Sequence, residues 1–216
     1  MGHFPSWMLH SAHNYLKAAE VLDAQNLPHV AQVNAAIGME ILLKSFISVP
    51  DQHQGTSGET YKLDAAALAS AHQHLQCADK TSRKTPDKHD LLTLFHAIPE
   101  AIRRSLALDG QEDSFERYRD VFTNSRYPYE SSSWKFSDPV LMRLLRWTLA
   151  NAVGYYKERG SQDPFVLGYC DAQLKMKLPS APSSLGLSAR SSTKNDCFSA
   201  SNAAFDHFSN LSAPAQ

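Results

Sequence analysis

Long stretches of this chain carry apolar residues at helical spacing, and almost none carries the alternation of a strand. In residues 6–25, Trp7, Met8, Ala12, Tyr15, Ala19 and Leu22 recur at steps of three and four. That spacing gives one apolar face to a helix. Residues 28–48 repeat it with Val30, Val33, Ile37, Ile41, Leu42 and Phe46. Pro28 suits the first position of this second helix, where its missing N–H costs nothing. The break at Asn26-Leu27 is short, so the two helices should pack antiparallel. Thr85-Pro86-Asp87 and Asp138-Pro139 read as further helix starts, each a capping side chain followed by proline. After them come Leu91, Phe95, Ile98, Ile102 and Leu106, then Leu141, Leu144, Leu145, Thr148, Ala152 and Tyr155. Pro99 should kink or divide the first of these helices. Residues 114–123 predict a short helix with Phe115, Tyr118 and Phe122 inward, and residues 163–175 predict a last one. The fold class is therefore all-α, an up-and-down bundle of four to five helices.

Two regions break the pattern. Residues 50–86 hold Gly55-Thr56-Ser57-Gly58 and a basic run from Lys80 to Lys84, and they read as a long insertion with one short helix near 64–77. Residues 179–216 are rich in Ser, Ala and Asn. Such a tail buries too little apolar surface to offset its ordering entropy, so it should be disordered. The predicted helical domain is thus 1–178.

Composition removes several function classes. Apolar residues make up 43% of 216 residues, enough for a core. The net charge of -1 gives no global basic footprint. Cys77, Cys170 and Cys197 form no Cys-x-x-Cys pair, which argues against a zinc site or a disulfide framework. His72-x-His74 lacks a third ligand in register, so neither metal nor other cofactor is predicted. No run approaches the roughly 18 apolar residues of a membrane span. The N-terminus fits the loose Met-Gly-x-x-x-Ser acylation pattern, but Phe4-Pro5 reads as a helix entry and no signal peptide is evident. A soluble, cytoplasmic protein is the expectation.

Against this background three polar elements stand out. Glu40 and Lys44 lie one turn apart in the order that favours an ion pair, and they extend the face of Val33 and Ile37. The bland alternative is a solvated pair worth a few tenths of a kcal/mol. His89-Asp90 opens a helix. Asp90 suits the positive end of the helix dipole and a protonated His89 does not, so His89 reads either as a surface residue or as a neutral imidazole held in a cleft by a carboxylate such as Glu40. Arg126-Tyr127 sits in the turn "NSRYPYE". Its guanidinium fits a carboxylate or a phosphate, and Tyr127 or Tyr129 could stack on a base. Lys80, Arg83, Lys84 and Lys88 form a local basic stretch that reads as a solvated loop or as a contact to a phosphate backbone. Trp134, Trp147, Tyr155 and Tyr156 read as core or interface aromatics.

Together these blocks resemble the HEPN superfamily of small helical domains from defence and RNA-processing systems. "HSAHNYLKAAEVLDA" is similar to the family's first helix. "HVAQVNAAIGMEILLKSFI" resembles its second, with the Glu-x-x-x-Lys. "DKHDLLTLFHAIPEAI" and then "NSRYPYE" are similar to the His-Asp-Leu helix and Arg-Tyr-Pro turn of several branches. The resemblance covers roughly residues 6–160. It implies a homodimer, and in nuclease members an arginine followed after four to six residues by a histidine that cuts RNA without metal. Arg126 matches the arginine, but no histidine follows it within Tyr127 to Ser133. Arg83 and His89 have the bare spacing, at a place before the third helix rather than the last.

Three functions follow. The first is a non-catalytic HEPN-like module in which Glu40, Lys44, His89, Asp90, Arg126 and Tyr127 line a polar cleft. It would bind a nucleotide, RNA or a partner protein such as a nucleotidyltransferase, in a prokaryotic defence or toxin–antitoxin setting. The second is a metal-independent ribonuclease using Arg126 with His89. The third is a structural dimerisation domain whose polar residues only fix helix register.

Overall fold

A computed structural model describes residues 6–53, 59–125, 129–131, 133 and 138–177. Among these the chain is mostly helical, with nine helices and one small sheet. The described residues fall into two units, divided after Val166. The predicted tail from residue 179 lies outside the described residues.

Helix α1 (Ser6–Ala24) buries Leu9, Ala12, Leu16 and Ala19, spaced three, four and three. Trp7 is not in this face as the periodicity predicts. It stands half exposed with its ring tilted against that of Tyr61, the centroids 5.6 Å apart. The helix ends in a left-handed Asn26 (φ 58), with Leu27 N–H donating to the Leu22 carbonyl at 2.9 Å and Asn26 N–H to that of Asp23 at 3.0 Å. This is a Schellman closure with asparagine where glycine is commonest.

Helix α2 (Pro28–Ser45) starts with Pro28 as predicted. Ser48, just past its end, donates to the Met8 sulfur near the start of α1, so the two helices run antiparallel. The buried face of α2 is made of small and linear residues, Ala31, Ala35, Ala36, Met39 and Leu42, while Val30 is exposed. Gly38 lies where three helices meet. A Cβ there would come within 2.7 Å of Leu145 and 3.2 Å of the Ala12 carbonyl. Absence of a side chain is what allows that approach.

The chain next departs from the all-helical expectation. Strands β1 (Ser48–Gln52) and β2 (Thr60–Leu63) pair antiparallel, Ser48 with Leu63 and Pro50 with Tyr61. Neither strand has an alternating β-branched run, so no local pattern announces them. The hairpin is held by context instead, through Trp7 on Tyr61 and a Lys62–Asp51 ion pair at 3.1 Å. Helix α3 (Ala65–Cys77) is the short helix predicted near 64–77. Asp64 caps it, accepting from Ala66 and Ala67.

The helix start predicted at Thr85-Pro86-Asp87 is displaced. Helix α4 (Leu91–Ala97) begins after Asp90, which supplies the capping carboxylate. Asp87 instead accepts from its own neighbour, His89 N–H at 2.8 Å, which closes a turn rather than a helix. Pro99 divides the apolar run as predicted, with Ile98 extended before it and α5 (Glu100–Ser105) after it. The single helix predicted at 114–123 is two, α6 (Glu112–Arg117) and α7 (Val121–Ser125). Phe115 and Tyr118 are fully buried, and Phe122 is only partly so.

Asp138 caps α8 (Pro139–Glu158) through Val140 N–H at 2.9 Å. The long helix packs Leu141, Leu144, Leu145, Leu149 and Val153 inward, against α1 and α2. Helix α9 (Pro164–Lys177) is the predicted last one. Its first residues lie by α1, with Phe165 against His10 and His13. No helix among the described residues is long and apolar enough to cross a membrane.

Candidate functional site

Three of the sequence-predicted residues meet. Glu40 is on the inner side of α2, with only 12% of its side chain exposed. One of its oxygens accepts from Lys44 Nζ at 2.5 Å and from His89 Nδ1 at 3.0 Å. A carboxylate can only accept, so His89 carries its proton on Nδ1. In the neutral ring Nε2 is then the acceptor. The imidazole face also lies on Phe122, with centroids 5.9 Å apart and planes 22° from parallel. The ring is thus held along its edge by α2 and across its face by α7. Even so, 41% of the side chain remains exposed.

That exposed part borders an open groove of about 750 Å³. Ala65 and Leu68 of α3 and Pro86 form apolar wall, and Lys84, Lys88 and His89 form polar wall. The basic stretch therefore divides by role. Lys80 is an anchor, bonded to Glu112 at 2.7 Å and Glu116 at 2.6 Å. These bonds push the Lys80 ammonium above the ordinary lysine range and pull the Glu112 carboxyl below its usual one. Arg83 is a second anchor, bonded to Asp87 at 2.5 Å and Asp120 at 2.8 Å. Lys84 and Lys88 have no partner among the described residues and stand free at the groove.

Asp90 does not join this cleft. It is 1% exposed and accepts from Leu92 N–H at 3.0 Å, Thr93 Oγ1 at 2.9 Å and Arg119 at 2.6 Å. Arg119 also donates to the Lys80 carbonyl at 2.7 Å. The group ties α4 to the turn before α7 and leaves no lone pair facing solvent. Arg126 and Tyr127 lie outside the described residues. The chain just before them is fixed nonetheless. Gln32, 4% exposed, donates to Ser125 Oγ at 3.0 Å and accepts from Asp138 N–H at 2.7 Å.

Sequence reasoning missed Arg119 and Gln32. Arg119 sits in "ERYRD", a stretch of mixed charge, and Gln32 looks like an ordinary polar residue of α2. Neither carries a local signal, because each partner is far away in sequence. His72 is buried, while His74 is exposed with its ring 4.7 Å from His96. Burial lowers His96 to about 4, against the opposing pull of Glu112. Among the described residues no group of three or more His, Cys, Asp or Glu is arranged to hold a metal ion.

Comparison of the chain with protein-family models, with curated proteins and with solved structures returned no match.

Proposed function

We propose that this chain is a non-catalytic HEPN-like module that binds RNA through the groove beside His89. The observation that carries this reading is the charge arrangement there. Two unpaired lysines flank a half-exposed histidine whose ring is already locked by Glu40 and Phe122. Unpaired cations on a preformed groove suit a phosphate backbone, and release of counterions would drive the association. The finer architecture that goes with it is an up-and-down bundle built on α1, α2 and α8, working as a homodimer. Lys44 serves Glu40 in this arrangement and is not a ligand contact. Arg126 and Tyr127 enter only through the resemblance, as a second phosphate contact and a stacking surface.

The ribonuclease reading pairs Arg126 with His89; the one specific observation near it concerns the other spacing match, since Arg83 and His89 line the same groove. Arg83 is however already held by two carboxylates, which offset the charge a transition state would need. The test is a single-stranded RNA oligomer titrated in EDTA and followed by fluorescence anisotropy and by gel. Binding without cleavage is expected. The double variant Lys84→Ala/Lys88→Ala should bind about tenfold more weakly, and Arg126→Ala should lose more than the surface control Lys157→Ala. RNA cleaved by the native chain but intact with His89→Ala would replace this reading with the nuclease. Equal affinity for all variants would end it.

A further inference from the structure

We infer that the groove takes a single nucleotide unit, with its base stacked on the open face of His89 and its phosphate between Lys84 and Lys88. This deepens the RNA reading and rests on it. A base needs a flat, rigid platform, and histidine is one of the side chains that serve. His89 is rigid for two independent reasons. The bond from Nδ1 to Glu40 restrains rotation of the ring about Cβ–Cγ, and the contact with Phe122 covers one face. The side chain is 41% exposed, and His89 is one of the groove's own walls. A base placed there would extend the stack to Phe122, His89 and base in turn.

The rest of the groove suits the other parts of a nucleotide. Leu68 and Pro86 offer apolar contact to the edge of a base or to a sugar. Lys84 and Lys88 offer compact ammonium donors, which bind phosphate as point charges. Asp87 also borders the groove and would repel an anion, but Arg83 holds its carboxylate at 2.5 Å. The volume of about 750 Å³ falls in the range of small-ligand sites, roughly 300–1,000 Å³.

The experiment is calorimetric titration of the full chain with 5′-AMP, adenosine and inorganic phosphate, beside the RNA oligomer. AMP should bind about tenfold more tightly than either adenosine or phosphate, because only AMP uses both parts of the site. His89→Ala should weaken AMP about tenfold and leave phosphate unchanged. His89→Phe keeps a flat ring but loses the bond to Glu40, and it should stay within about threefold of the native chain. The exposed pair Lys84→Ala/Lys88→Ala should reduce AMP to the level of adenosine. Phosphate binding as well as AMP, or His89→Phe failing as badly as His89→Ala, would overturn the stacking assignment. RNA binding without AMP binding would sink this inference and leave the RNA reading standing. Loss of both would remove the two together.

Discussion

His89 and Asp90 are neighbours in the chain and have opposite fates. His89 keeps 41% of its side chain in solvent, at the edge of a groove. Asp90 keeps 1%, and its carboxylate takes three donors, one of them a guanidinium. The polar groups look alike on paper, since both are titratable residues beside the start of α4. The difference lies in what is satisfied. A buried carboxylate must be fully paired or it destabilises the fold. A histidine held on one nitrogen and one face has the rest of its ring to spare. The closed group fixes how α4 meets α7, and the open one is free to meet a ligand.

The largest expected effect breaks the closed side. Asp90→Ala removes the α4 cap and leaves Arg119 without its carboxylate, so chemical denaturation should show a loss of about 3 kcal/mol. A loss under about 1 kcal/mol would mean that the network is ornamental and that the contrast with His89 fails.

Next in size is an acid effect at the second buried group. His96 titrates at about 4 when folded, below the ordinary 6.5. Above pH 6.5 neither state takes up the proton. As pH falls from 6.5 toward 4 the unfolded chain takes it first, so stability drops across that window. The Glu112 carboxyl, held low by Lys80, adds loss of the same sign as pH falls below 4.5. His74, Arg103 and Glu112 all face the ring; His74 and Arg103 push it the same way as burial, and burial outweighs the opposing pull of Glu112. His96→Gln should flatten the slope between pH 6.5 and 4.5, read as denaturation midpoints across that range. An unchanged slope would assign it to other groups.

A smaller effect tests the open side. Glu40→Ala frees both Lys44 and His89, and it should cost about 1 kcal/mol, well below Asp90→Ala. Equal losses for the two would favour a purely structural role for both clusters. Smallest of all should be Lys84→Ala/Lys88→Ala. Stability should stay within about 0.5 kcal/mol of the native chain, while the salt dependence of RNA binding falls by about two ionic contacts. A destabilised variant would show that these lysines are anchors like Lys80.

Much of the helical plan was legible. Proline at Pro28 and Pro139, the cap at Asp138, and the division at Pro99 each act through the local backbone, so a reader of the chain can place them. Helix ends were harder. Asn26, Asp79 and Ala107 take left-handed backbone at helix ends, with φ between 56° and 58°, and only Gly160 is a glycine there. A search for terminal glycine misses the other three. The Thr85-Pro86-Asp87 start was misread because Asp87 turns the chain back on itself, three residues before Asp90 caps the helix. The hairpin at 48–63 was missed because packing of Trp7 on Tyr61, not β propensity, supports it.

For the candidate site the legible part was Glu40 with Lys44, an i, i+4 pair fixed by helix geometry alone. That His89 would find Glu40 followed only as one option, because 49 residues separate them. What the sequence determined by itself is whatever depends on spacing within a few residues: helical periods, proline starts, capping carboxylates and the Glu40–Lys44 pair. Only the tertiary structure decided which polar residues are sealed and which are open. Burial and pairing are properties of the chain segments brought alongside, and for Asp90 and His89 those segments carry Arg119, Phe122 and Glu40 from distant parts of the sequence.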